Sequence, residues 1–195
     1  MSINFTSNLS DFIGKLGYDT IDWADLIPLD NHTISGVDSN NRGKSKGGIG
    51  YSVDHPLSCK RQTQGATSTW PGNFDPTEPA LLCPLTGLGS TSLGPIRITF
   101  DDPVHGVGAR IQQRFSISKP DASFDAFIQV FDSVKTPLHE PVKFKCPETP
   151  DNATFIGLLD DPGVAARIKY VEFDTRASDS DDDGDFAIDM LRLIS

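Results

Sequence analysis

The chain has 195 residues, 37% of them hydrophobic, and a formal net charge of −10. That length suits one domain, residues 1–195, with a core large enough to need no staples, and no stretch is long and apolar enough to span a membrane. The acidity, with no basic stripe to neutralise phosphates, argues against nucleic acid and against anionic membrane surfaces.

Aspartate outnumbers glutamate by 23 to 4, alongside 17 glycines and 14 prolines. Glutamate favours helices, whereas aspartate favours turns, caps and oxygen-rich cation sites. Glycine and proline at this density fit a chain of strands and turns. The cysteines, Cys59, Cys83 and Cys146, show no C-x-x-C spacing, so they do not form a zinc site by themselves. Three reduced thiols and one disulfide with a free thiol both stay open. The opening "MSINFTSNLSDFIGKLG" lacks a charged region followed by an apolar run. The expectation is a chain that stays inside the cell, or one whose leader has been removed.

In chain order, Leu9, Phe12, Ile13 and Leu16 mark one face of a short helix, capped by Asn8 or Ser10 and stopped by Gly17. Residues 1–28 thus read as a helical or extended segment packed on the domain. "TIDWADL" adds a turn or short strand, with Trp23 in the core. Residues 30–50 are polar and glycine-rich, a loop or a pair of short strands with a wide turn. Residues 54–95 are proline-rich and read as long connections with few strands, the kind of loop that carries function. From residue 96 the pattern changes to "IRITF", "GARIQQRFSIS", "FDAFIQVFDS", "VKFKC", "TFIGLL", "ARIKYVEFDT" and "DFAIDMLRLI". These are short β-branched and aromatic runs between turn signals. In "FDAFIQVFDS", Phe124, Ala126, Ile128 and Val130 share one face. The fold class is all-β, an antiparallel sandwich or barrel.

The densest charge is "DSDDDGDFAID". Asp179, Asp181 and Asp183 fall at alternate positions before Gly184, the D-x-D-x-D-G half of a calcium loop. A turning backbone brings alternate carboxylates to one centre, and hard oxygens suit calcium. Asp185 joins them. Met190 stands where an EF-hand has its bidentate glutamate, so another ligand must complete the site. Asp189 is the candidate: both faces of its strand are apolar, and a buried carboxylate needs a cation, an arginine such as Arg167 or Arg192, or backbone amides. The competing reading is a solvated acidic turn.

"TFDDPVHG" reads as a turn after a strand, with Asp capping and Pro103 blocking the ladder. No G-x-S-x-G elbow or triad order is present. "STWPGNF" places Trp70 and Asn73 in a loop, where the indole either stacks on a sugar or pins the loop to the sandwich. "GGIG" and "GVG" fit strand bends and close backbone approach rather than phosphate binding.

The ordered set "DTIDWADL", "WPGNFDPTEPALL", "GPIRITFDDPVHGVGARIQ", "FDAFIQVFD", "FIGLLDD", "IKYVEFDT" and "DFAIDMLRL" resembles a group of small bacterial β-sandwich domains, frequent in cyanobacteria. These are often exported and often end in a PEP-type sorting signal. The resemblance runs from about residue 18 to 194, and no such tail follows Ser195. It implies a jelly-roll-like sandwich of the carbohydrate-binding-module type.

Three functions follow. One is a calcium-binding, non-catalytic module that holds a glycan or another small molecule near Trp70. Another is a calcium-dependent cyclase-like or isomerase-like enzyme on the same scaffold, with Asp102, Asp125 or Asp132 as a buried acid. The third is a surface protein that self-associates through a sandwich edge.

Overall fold

The computed structural model describes residues 2–23, 26, 33–34, 41–54, 59–63, 74, 79–83, 95–113, 123–146, 153–177 and 186–195. Trp70, Asn73, Asp179, Asp181, Asp183 and Asp185 lie outside the described residues.

Fifteen strands are described. They are β1 Asn4–Thr6, β2 Tyr18–Ile21, β3 Thr33–Ile34, β4 Arg42–Lys44, β5 Gly50–Asp54, β6 Cys59–Thr63, β7 Pro79–Cys83 and β8 Ile96–Val104. They continue as β9 Gly106–Gln113, β10 Phe124–Phe131, β11 Val142–Lys145, β12 Thr154–Leu159, β13 Ile168–Ala177, β14 Phe186–Ile188 and β15 Leu191–Ile194. They form two sheets with antiparallel pairing throughout, a jelly-roll-like sandwich. The nine-stranded sheet runs β1-β12-β9-β14-β7-β6-β3, with β15 beside β9 and β2 beside β15; the six-stranded sheet runs β11-β10-β13-β8-β5-β4.

Period-two alternation explains the sandwich. In β10, Phe124, Ala126, Ile128 and Val130 are buried, while Phe127, Gln129 and Phe131 are half-buried. The inward residues join Ile98, Phe100, Val171 and Phe173 of the same sheet and Val107, Ile111, Ile156 and Leu193 of the other in one core. Trp23 lies fully inside it, edge-on to Tyr51 at 5.9 Å, and its indole N–H donates to the Asp189 carbonyl.

The N-terminal segment differs from its expectation. The helix is one 3-10 turn, Leu9–Asp11, capped by the Asn8 side chain, which accepts from the Ser10 N–H at 3.1 Å. Gly14 and Gly17, at φ 80° and 78°, turn the chain left-handed before a second turn forms. Ile13 and Leu16 therefore face water, whereas Phe12 is buried against Phe155 and Ile194 on the outside of the nine-stranded sheet. The rings approach because Gly108 and Gly157 carry no side chain: a Cβ there would meet Phe155 at 2.6 Å and Phe12 at 2.8 Å.

Among the described residues of 54–95, the strands beyond β5 are β6 and β7, paired with each other, in keeping with few strands there. Two further expectations are corrected. The short strands of residues 30–50 belong to different sheets, β3 pairing with β6 and β4 with β5. β8 stays extended through Pro103, which falls where its register with β13 shifts and no ladder partner is needed.

A candidate ligand face on the six-stranded sheet

The two outer faces of the sandwich differ. Phe12 and Phe155 cover one end of the nine-stranded sheet, and Phe74 packs with Ala80 and Ala187 at the other. On the six-stranded sheet the outward aromatics Phe127, Phe131 and Tyr170 remain half-buried.

Register assembles this face. Phe131 lies opposite Tyr170, Gln129 opposite Glu172, and Phe127 opposite Asp174, across β10 and β13. Across β13 and β8, Glu172 lies opposite Arg97 and Tyr170 opposite Thr99. Directly opposed side chains stand about 5 Å apart. The Arg97 Nε–H donates to Glu172 Oε1 at 2.7 Å, and a terminal N–H of the same guanidinium reaches the same oxygen. Two cations lie over rings: Lys135 Nζ is 5.8 Å from the Tyr170 centroid, and the Arg176 guanidinium is 5.2 Å from that of Phe127.

Arg97, Phe131, Lys135, Tyr170 and Glu172 line a cleft of about 30 Å³. Lys135 is positioned by a tight turn in which Asp132 Oδ1 accepts from the Val134 and Thr136 N–H groups at 2.9 and 2.8 Å. Its φ of 66° is left-handed, where glycine or asparagine is usual.

None of the three aspartates considered as a buried acid sits unpaired in an apolar pocket. Asp102 is exposed, Asp132 caps its own turn, and Asp125 is ion-paired with Lys143 Nζ at 2.7 Å.

Asp189 sits where the last strand divides into β14 and β15, which occupy successive stretches along one side of β9. Its backbone N–H donates to the Arg110 carbonyl at 3.0 Å, and its Oδ1 accepts from the Arg110 N–H at 2.8 Å. Arg192 lies 3.8 Å from Oδ2 and donates to the Met190 carbonyl. The Arg110 backbone amide and Arg192 thus both contribute to compensating this carboxylate. Among the described residues, no group of three or more His, Cys, Asp or Glu side chains could hold a metal ion. Cys146 is a free buried thiol, and burial pushes its pKa up to about 11.

No family model matches the chain, and no curated protein matches it. Among solved structures, it is similar to the CBM22-1–GH10 modules of Clostridium thermocellum endo-1,4-beta-D-xylanase 10B complexed with xylohexaose, at 9% identity and a TM-score of 0.40. That match covers 87% of this chain and 29% of the other. It is also similar to CtCBM11, at 12% identity and a TM-score of 0.39, over 94% of this chain and 98% of the other.

The sequence reading missed this face. Its signal was the second face of "FDAFIQVFDS", where Phe127 and Phe131 occupy the alternate positions.

Proposed function

We propose that this protein is a non-catalytic binding module that lays a glycan chain across the outer face of its six-stranded sheet. The observation that carries the reading is the registered set Phe127, Phe131 and Tyr170 interleaved with Gln129, Glu172 and Arg97. A pyranose ring presents a C–H face that stacks on an aromatic ring and a rim of hydroxyls that bond to amide, carboxylate and guanidinium groups. Strands hold these groups in fixed places, which lowers the ordering cost of binding. Phe127 and Phe131 stand roughly 13 Å apart along β10, a span that a short oligosaccharide bridges. A cleft of about 30 Å³ suits a shallow binding face better than an enclosed reaction chamber.

Calcium is the second part of the proposal. Asp179, Asp181, Asp183 and Asp185 would hold it through the D-x-D-x-D-G pattern, stiffening the connection between β13 and β14. Trp70 and Asn73 are the second candidate ligand site.

The test is gel retardation and calorimetry against soluble β-glucan, xylan, mannan and polygalacturonate. Phe131→Ala and Tyr170→Ala should each weaken binding about tenfold or more with little change in unfolding temperature. If both variants bind like wild type while Trp70→Ala does not, the ligand belongs to the Trp70 loop. If no polymer binds wild type, the glycan reading fails.

A further inference from the structure

Two cations of this face, Lys135 and Arg176, each lie over an aromatic ring. Asp125 stands opposite Arg176 in the ladder, whereas the carboxylate that shares the cleft with Lys135 is Glu172. Arg97, between them, is committed to Glu172.

Lys135 is the more telling of the two. Its left-handed backbone is strained for any residue with a Cβ, by about 1–2 kcal/mol relative to the right-handed form. Glycine would relieve that strain at no steric cost. A lysine there places an ammonium on the lip of the cleft, beside the registered pair Phe131 and Tyr170. At about 30 Å³ the cleft is shallow, so a sugar ring lies across its mouth rather than inside it.

We propose that the face selects acidic sugars, and that a uronate carboxylate rests at the mouth of the cleft with Lys135 as its charge partner. This rests on the glycan-binding reading above. The pyranose ring stacks on Phe131 and Tyr170, and its carboxylate lies at the mouth beside Lys135. The carboxylate then draws the ammonium off the Tyr170 ring, exchanging a cation–π contact for a charge-assisted hydrogen bond. Arg176 over Phe127 repeats the pairing of ring and cation further along the sheet, but Asp125 stands opposite Arg176 and Asp174 opposite Phe127, so Lys135 carries the selection. Glu172 stays neutralised by Arg97 and does not repel the ligand.

The test compares polygalacturonate with the same polymer after its carboxyls are reduced to neutral galactose, on wild type and Lys135→Gly. The glycine relieves the backbone, so a loss of binding cannot be ascribed to unfolding, and the unfolding temperature checks this directly. Wild type should prefer the acidic polymer by about tenfold, with an affinity that falls as salt rises. Lys135→Gly should lose most of that preference and keep its affinity for the reduced polymer. Equal binding of the two polymers to wild type overturns the uronate assignment and leaves the glycan reading standing. So does an undiminished preference in Lys135→Gly. Binding of neither polymer, nor of the neutral panel, removes both readings. A sulfated glycan or an oligonucleotide bound as tightly as the polyuronate shows general attraction to polyanions and overturns the assignment.

Discussion

Asp189 shows how a buried charge can be read correctly as a problem and still have two solutions. Its strand is apolar on both faces, so a compensating partner was legible in the sequence; which partner was not. In the structure its Oδ1 takes the Arg110 N–H where the ladder breaks, and Arg192 stands over Oδ2. Asp189→Ala should therefore cost about 1–3 kcal/mol, because it removes the acceptor of the buried Arg110 N–H and a charge beside Arg192. The same variant separates Asp189 from the acidic loop in thermal unfolding with and without millimolar calcium. A bound ion at a hundred times its Kd adds about 2.7 kcal/mol, several degrees in a domain of this size. Wild type and Asp189→Ala should both gain that increment, while Asp181→Ala and Asp183→Ala should lose it. An increment lost in Asp189→Ala would make Asp189 a calcium ligand.

The elements from residue 96 onward were legible because their inward residues obey a strict period of two. The short N-terminal helix and its Asn8 cap were legible, but its length was not: Leu9, Phe12, Ile13 and Leu16 carry the spacing of a longer face, and Gly14 and Gly17 end the turn before Ile13 and Leu16 can be covered. Of the candidate ligand face, only the alternation of Phe127 and Phe131 was legible. Arg97 and Glu172 are 75 residues apart and meet only through sheet register, which no local period encodes. Both edges of the six-stranded sheet carry cations at alternate positions, Arg42 and Lys44 on β4 and Lys143 and Lys145 on β11. Such edges oppose strand addition and weigh against self-assembly through this sheet.

The turn from β12 to β13 is held by a forked ion pair, Arg167 Nε–H to Asp160 Oδ2 at 2.8 Å and a terminal N–H to Oδ1 at 2.5 Å. Burial pushes the Asp160 carboxyl up. The Arg167 hydrogen bonds, the Asp161 N–H, and the charges of Arg167 and His105 outweigh burial and hold it below its usual value of 3.8. A carboxyl depressed by folding contributes stability above its unfolded pKa and loses it as pH falls through the folded one. Arg167→Met should therefore cost about 2–3 kcal/mol near neutral pH. The gap from wild type should close below roughly pH 4, as Asp160 becomes protonated. Unfolding midpoints across pH check both; a gap that persists unchanged into acid would show that Arg167 acts through packing instead.

For the whole molecule, the sandwich sets the division of labour. The nine-stranded sheet takes Phe12, Phe155 and Phe74 on its outer side, while the half-buried aromatics of the six-stranded sheet form the face proposed to take a ligand. The most direct measurement is an NMR titration of aromatic and arginine side-chain resonances with a short oligosaccharide of whichever polymer is most strongly retarded. The account predicts progressive shifts at Phe127, Phe131, Tyr170 and Arg97, with the core rings Phe100 and Phe173 unchanged. Shifts confined to Trp70 and its loop, with Phe131 and Tyr170 unmoved, would contradict it.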